Sequence, residues 1–205
     1  NGHTTQFHPT QMLADVMTVE ENFGHLDGIK LVFMGDARNN VANSLMVVCA
    51  KMGMHFVACG PKELWPDKEF VNKCKEIAKE TNGSIEMTED VMEASSGADV
   101  IYTDVWVSMG EPDDVWNERI NLLKPYQVNV DVMNNARPDA IFLHCLPSFH
   151  DLKTTIGKDI YEKFGLKEME VTDEVFNLPC SKVFDQAENR LHTIKAVVYA
   201  TMRED

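Results

Sequence analysis

Between residues 29 and 146 the chain alternates short apolar runs with longer segments whose apolar residues recur at helical spacing. "GIKLVFMG" is a brief hydrophobic run ending at Gly35, and "VANSLMVVCAKMG" carries a helical stripe with Gly53 placed as its C-cap. "HFVACG" reads as a strand, and "PDKEFVNKCKEIAKETNG" as an amphipathic helix closed by Gly83. "SIEM" is strand-like, "EDVMEASSG" a short helix, "ADVIYTDV" a strand, "DVWNERINLLKPY" a helix and "AIFLHCLP" the last clear strand. "EMEVTDEVF" adds only a turn and a helical stub. Short strands separated by helices imply βαβ units, so the pattern predicts an α/β domain over residues 26–183. The expected fold is a Rossmann-like parallel sheet of about five strands with helices on both faces.

Two flanking segments stand outside this alternation. "HPTQMLADVMTVEENF" sets Met12, Leu13, Val16, Met17 and Phe23 at helical spacing, and "FDQAENRLHTIKAVVYATM" puts Ala187, Leu191, Ile194 and Val198 on one stripe. Such helices either cover the sheet or face something outside it. Both begin with polar residues, His8 and Gln11 in one and Gln186, Glu188, Asn189 and Arg190 in the other, which is unusual for plain packing helices.

A chain of 205 residues, 44% hydrophobic, is long enough to bury a core. Its formal charge of −14, with the basic residues scattered among acids, argues against a nucleic-acid surface. No apolar run approaches the roughly 20 residues of a membrane span, and the N-terminus has no signal-peptide pattern. Five widely spaced cysteines, an odd number, fit reduced thiols in a cytoplasm, and without a CxxC no structural zinc site is expected.

Ligands of open parallel sheets bind beyond the C-terminal ends of the strands, so the loops there carry the candidate chemistry. "GDARNN" keeps only Gly35 of the glycines that a dinucleotide loop needs, which disfavours a nicotinamide site. Asn39 and Asn40 stand at a helix N-terminus, suited to capping it or to meeting a carboxylate or phosphate. In "DVWVSMGEP", Asp104 either caps a surface turn or anchors a ligand ammonium, with Ser108 and Met109 closing over an aliphatic stem. In "HCLPSFHD", His144 and Cys145 are adjacent on a strand and face opposite sides, so His144 is a poor base for the thiol and is expected to be packed and hydrogen-bonded. Cys145 is then a polar contact at the mouth of the sheet rather than a covalent nucleophile.

"HPTQ", "GDARNNVANS", "DVWVSMGE", "HCLP" and "FDQAENR", in that order across nearly the whole chain, resemble the ornithine carbamoyltransferase family. "SMG" with "HCLP" resembles the ornithine-using branch more than the aspartate-using one. The resemblance implies transfer of a carbamoyl group from carbamoyl phosphate to the δ-amine of L-ornithine, with no metal and no organic cofactor. It implies that His8, Gln11, Cys145, Leu146 and Arg190 bind carbamoyl phosphate, that Asn39, Asp104, Ser108 and Met109 bind ornithine, and that Cys145 and Asp104 act in catalysis.

Members of that family carry, ahead of "HPTQ", a domain with a Ser-Thr-Arg-Thr-Arg phosphate loop that this sequence lacks. The chain is therefore expected to be the ornithine-binding half, inactive alone, with residues 1–25 as an interdomain helix and 184–205 as a C-terminal helix packing on the other domain. Leu13, Met17, Leu191 or Val198 should then expose apolar surface. The family also implies a cytoplasmic homotrimer, which leaves the fragment free to be a monomer. The rivals are a non-catalytic amino-acid-binding module and a nucleotide-dependent oxidoreductase.

Overall fold

The computed structural model describes residues 2, 4–107 and 113–202. Five parallel strands, β1 Lys30–Met34, β2 His55–Cys59, β3 Ser84–Thr88, β4 Val100–Thr103 and β5 Ile141–His144, form one sheet in the order β3-β2-β1-β4-β5. Around it lie α1 Pro9–Phe23, α2 Asn40–Lys51, α3 Lys68–Glu80, α4 Val91–Ser95, α5 Asp113–Leu123, α6 Val130–Asn135, α7 Thr155–Phe164, α8 Asp173–Phe176 and α9 Val183–Met202.

The strands are continuous hydrophobic runs because both faces of the sheet are covered. Leu31, Phe33, Phe56, Tyr102 and Leu143 point into one core with α1, α2 and α3. Val32, Met34, Val57, Ile101 and Phe142 point into the other, against residues of α4 to α8. The helices start where short polar side chains cap them: Asn39, Asp67, Asp90, Asn129, Thr154 and Thr172 each accept a backbone N–H of the first turn. The turn after α3 takes its left-handed residue from Asn82 (φ 62°) rather than from Gly83.

The flanking helices pack on each other through faces that hydrophobicity does not mark. The buried positions of α9 are Val183, Gln186 and Asn189, and those of α1 include Gln11, Asp15 and Thr18. Asn189 Nδ2 donates to Thr18 Oγ1 (3.0 Å) and to Glu21 Oε2 (2.7 Å), so polar side chains join the two. The apolar stripe of α9 faces outward, with Leu191 68% and Val198 48% exposed, whereas α1 exposes Leu13 (41%), half-buries Met17 and buries Met12 in the core beneath the sheet.

The loop after β5 is fixed by a buried ion pair. His144 Nε2 lies 3.1 Å from Glu170 Oε1, and both side chains are fully buried. Glu170 Oε1 also accepts Ser148 Oγ (2.9 Å) and the Phe149 N–H (2.7 Å). His144 Nδ1 faces the Cys145 carbonyl oxygen at 2.6 Å, so both ring nitrogens meet acceptors and the ring is held as an imidazolium. Burial alone would lower the His144 pKa, but the Glu170 carboxylate outweighs it and holds the ring above its usual range. Burial likewise pushes Glu170 up, and the His144 bond brings it below the usual carboxylate range. The loop also contains a cis peptide at Leu146–Pro147.

A lowered carboxyl contributes stability above its unfolded pKa and loses it as pH falls through the folded value. A raised imidazole contributes below its unfolded pKa and loses it as pH rises through the folded value. The pair is therefore fully effective between about pH 4.3 and 6.5, the unfolded values of Glu and His. Replacing Glu170 by Gln should cost about 3 kcal/mol in that window, with the difference shrinking in alkaline buffer, as urea denaturation at several pH values would show. A second prediction concerns the ends of β1 and β2, where a Cβ on Gly60 would lie 2.2 Å from the Gly35 carbonyl oxygen. Backbone cannot yield as a side chain does, so Gly60→Ala should cost about 2 kcal/mol or more, read as a lower urea midpoint.

Candidate active site

Between β1 and β4 the strand order reverses: the connection from β1 runs to β2 on one side, and β4 continues to β5 on the other. Loops leave such a point in opposite directions and open a crevice above the sheet. Register lines up what emerges there. Met34 pairs with Thr103 and Thr103 with His144, so Gly35, Asp104 and Cys145 stand side by side one residue beyond their strands.

Asp104 is the centre of this edge. Its Oδ2 accepts Asn39 Nδ2 at 3.0 Å, and its Oδ1 accepts the Val105 N–H at 2.8 Å and the Cys145 thiol at 3.1 Å. Asn39 caps α2 through its other atom, Oδ1, which takes the Ala42 N–H at 2.7 Å. One side chain thus both caps the helix and binds the acid. A carboxylate offers about four lone-pair directions, so Oδ2 keeps one open among the described residues.

Burial pushes the Asp104 carboxyl above its usual range, and the nearby His144 charge and the Cys145 bond only partly offset this. Burial, followed by the Asp104 charge, pushes the Cys145 thiol well above its ordinary value. Cys145 is therefore a protonated donor, which removes the thiolate that covalent attack requires. Asp104, His144 and Cys145 have metal-ligand atoms within 4.8 Å of one another, but the hydrogen bonds already described occupy both His144 nitrogens and the thiol proton.

A cleft of about 600 Å³ opens beside this edge, lined by Gln11 of α1, Cys145 and Leu146 after β5, and Arg190 of α9. His8 is the N-cap of α1, where its backbone N–H donates to Ser44 Oγ at 2.8 Å. The structure thus joins Asn39, Asp104 and Cys145 by hydrogen bonds and places Gln11, Cys145, Leu146 and Arg190 around one cavity. Ser108 and Met109 lie outside the described residues. His150 turns away from the thiol to pair with Asp173 at 2.8 Å and stack on Phe176.

Beneath the cleft lies a polar network that hydrophobic periodicity does not reveal. Asp15 Oδ1 accepts Gln11 Nε2 (2.8 Å) and Gln186 Nε2 (2.6 Å), and Asp15 Oδ2 accepts the Tyr102 hydroxyl (3.1 Å). Gln186 Oε1 accepts the His144 backbone N–H at 3.0 Å. The one available clue to Asp15 is its position four residues after Gln11, on the same face of a helix.

The family model described as "Aspartate/ornithine carbamoyltransferase, Asp/Orn binding domain" matches residues 27–201. Over 202 residues the chain is 67% identical to a Treponema denticola protein named "Ornithine carbamoyltransferase, catabolic", covering 98% of this chain and 60% of that one. A Bacillus licheniformis protein of the same name is 60% identical over 203 residues, with the same two shares covered. The chain thus spans about 60% of the length of these curated relatives. Among solved structures, the ornithine carbamoyltransferase of Pyrococcus furiosus superposes with a TM-score of 0.84 at 42% identity, over 97% of this chain and 57% of that one. That of Gloeobacter violaceus gives 0.83 at 39% identity, over 99% and 61%. With its fold, its sheet-edge constellation and these likenesses in agreement, the chain belongs to the aspartate/ornithine carbamoyltransferase family, through that family's Asp/Orn-binding domain.

Proposed function

We propose that this chain is the ornithine-binding half of an ornithine carbamoyltransferase, which makes L-citrulline and phosphate from L-ornithine and carbamoyl phosphate. The observation that carries the proposal is the bonded set Asn39–Asp104–Cys145, with links of 3.0 and 3.1 Å, at the margin of a cleft lined by Gln11 and Arg190. The names of the relatives support it.

The δ-amine of free ornithine has a pKa of about 10.4, so near neutrality it arrives as an ammonium that cannot attack. Asp104 offers that ammonium its open Oδ2 lone pair, and a carboxyl raised by burial takes up a proton more readily than an ordinary aspartate does. The freed amine attacks the carbamoyl carbon, the C–N bond forms, the C–O bond to phosphate breaks with its electron pair leaving on phosphate, and the nitrogen's surplus proton passes to that departing phosphate. Arg190 and His8 stabilise charge on the carbamoyl oxygen and the departing phosphate, and Gln11 and Leu146 hold the carbamoyl group. Ser108 and Met109 are proposed to bind ornithine as well. Cys145 keeps its proton and orients Asp104, and no covalent enzyme intermediate forms. Residues 1–25 and 184–205 are the segments that join and pack on the carbamoyl-phosphate half, which is where the exposed Leu13, Leu191 and Val198 fit. The parent enzyme is proposed to be a cytoplasmic homotrimer. Among the described residues no helix is long and apolar enough to cross a membrane.

The test is citrulline formation by the chain alone and by a chimera in which it replaces the segment that it matches in the Treponema denticola relative. The chain alone should make no measurable citrulline and the chimera should make it steadily. Asp104→Asn in the chimera should lower kcat/KM by roughly 100-fold or more, the range for losing a positioned proton acceptor. A folded chimera that binds ornithine without forming citrulline would establish a non-catalytic binding module instead.

A further inference from the structure

Gln11 lines the cleft, yet its side chain is held from behind: Nε2 is 2.8 Å from Asp15 Oδ1, and Oε1 is buried with no partner among the described residues. A buried amide oxygen without a donor is costly unless a ligand supplies one. We propose that Asp15 is a positioning residue that sets the direction of the Gln11 amide, leaving Oε1 to accept an N–H of the carbamoyl group. The proposal rests on the site assignment given above and adds to it a residue that touches neither substrate.

The chemistry of the network leaves Gln11 one orientation. Asp15 Oδ1 is an acceptor facing two amide groups, so each must present its NH2 to it. Turning Gln11 over would set its oxygen against that acceptor. Turning Gln186 over would set its NH2 against the His144 backbone N–H, which now donates to Gln186 Oε1 at 3.0 Å. Burial pushes the Asp15 carboxyl up to about 7, so charged and neutral forms coexist near neutrality. A proton on Oδ2 turns toward the Tyr102 oxygen and leaves Oδ1 accepting, so the direction of Gln11 holds in both forms. The same shared acid ties α1 and α9 to the backbone of β5, and so the side of the cleft formed by Gln11 is held in register with the side formed by Cys145.

Asparagine at this position can copy the arrangement. Its oxygen takes the place of Oδ1, and its NH2 faces the Tyr102 oxygen, which also accepts Gln186 Nε2 at 3.0 Å, while the hydroxyl proton turns to the Cys145 sulfur. Leucine has similar bulk and no acceptor, so it releases the Gln11 amide, while Gln186 stays held by the Tyr102 oxygen at 3.0 Å and the His144 N–H. In the chimera described above, Asp15→Leu should raise KM for carbamoyl phosphate by roughly tenfold, about the strength of one well-placed hydrogen bond, and move KM for L-ornithine by less than about twofold. Asp15→Asn should keep the carbamoyl phosphate KM within about threefold of the unaltered value, which a loss of packing or of charge alone would not explain. Equal shifts in both KM values, no shift in either, or an Asp15→Asn variant as impaired as Asp15→Leu would overturn the proposal.

A measurement free of substitution covers a leucine variant that does not fold. In the unaltered chain, the Gln11 side-chain amide protons should exchange with solvent far more slowly than those of an exposed glutamine, followed by nuclear magnetic resonance. Exchange at the exposed rate would also overturn the proposal. If the unaltered chimera makes no citrulline, the assignment of the site fails, and the exchange result still decides whether Asp15 holds Gln11.

Discussion

A carboxylate held at the point where the loops of a parallel sheet diverge is the constraint from which the rest of this site follows. Asp104 is the first residue beyond β4, and its two oxygens draw in Asn39 from the loop after β1 and Cys145 from the end of β5. Without that acid the three segments would share only backbone register. With it, a helix cap, a thiol and an open lone pair meet within one small volume. Desolvation raises both the carboxyl and the thiol above their ordinary values, and the proposed reaction draws on that shift.

Much of this was legible in the sequence because local rules and the tertiary answer agree. The strands are short apolar runs, their loops end in polar groups, and the doubly covered sheet is the ordinary consequence. Asn39 and Asp104 could be picked out singly, since one sits at a helix start and the other at a strand end. Their hydrogen bond could not, because it joins residues 65 apart through a register that no local pattern records. Glu170 lay in a stretch that read as a mere turn and stub, yet it is the fully buried partner of His144. The adjacency of His144 and Cys145 suggested a packed, hydrogen-bonded histidine, and the fold shows its ring nitrogens meeting Glu170 and the Cys145 carbonyl oxygen.

The flanking helices teach a different lesson. Hydrophobic spacing marks Leu13, Leu191 and Val198, which are exposed, along with Met12, which is buried, and it does not mark Gln11, Asp15, Gln186 and Asn189, which are buried too. A periodicity argument assumes that the apolar face is the inward one, and here the inward faces are joined by hydrogen bonds instead. Such a joint demands matched donors and acceptors, so it also fixes which way each amide points. That directional content reaches the cleft through Gln11 and the β5 backbone through Gln186. The outward stripe of α9, with Leu191 and Val198, and the exposed Leu13 are the surface that the proposal assigns to the carbamoyl-phosphate half.

The most direct measurement is a crystal structure of the Treponema chimera with L-ornithine and inorganic phosphate, which together cannot react. The δ-nitrogen of ornithine should lie about 3 Å from Asp104 Oδ2 and point toward the cleft beside Cys145 and Arg190. Ornithine bound elsewhere, or bound with its δ-nitrogen away from an Asp104 that still contacts only Asn39, Val105 and Cys145, would contradict the account.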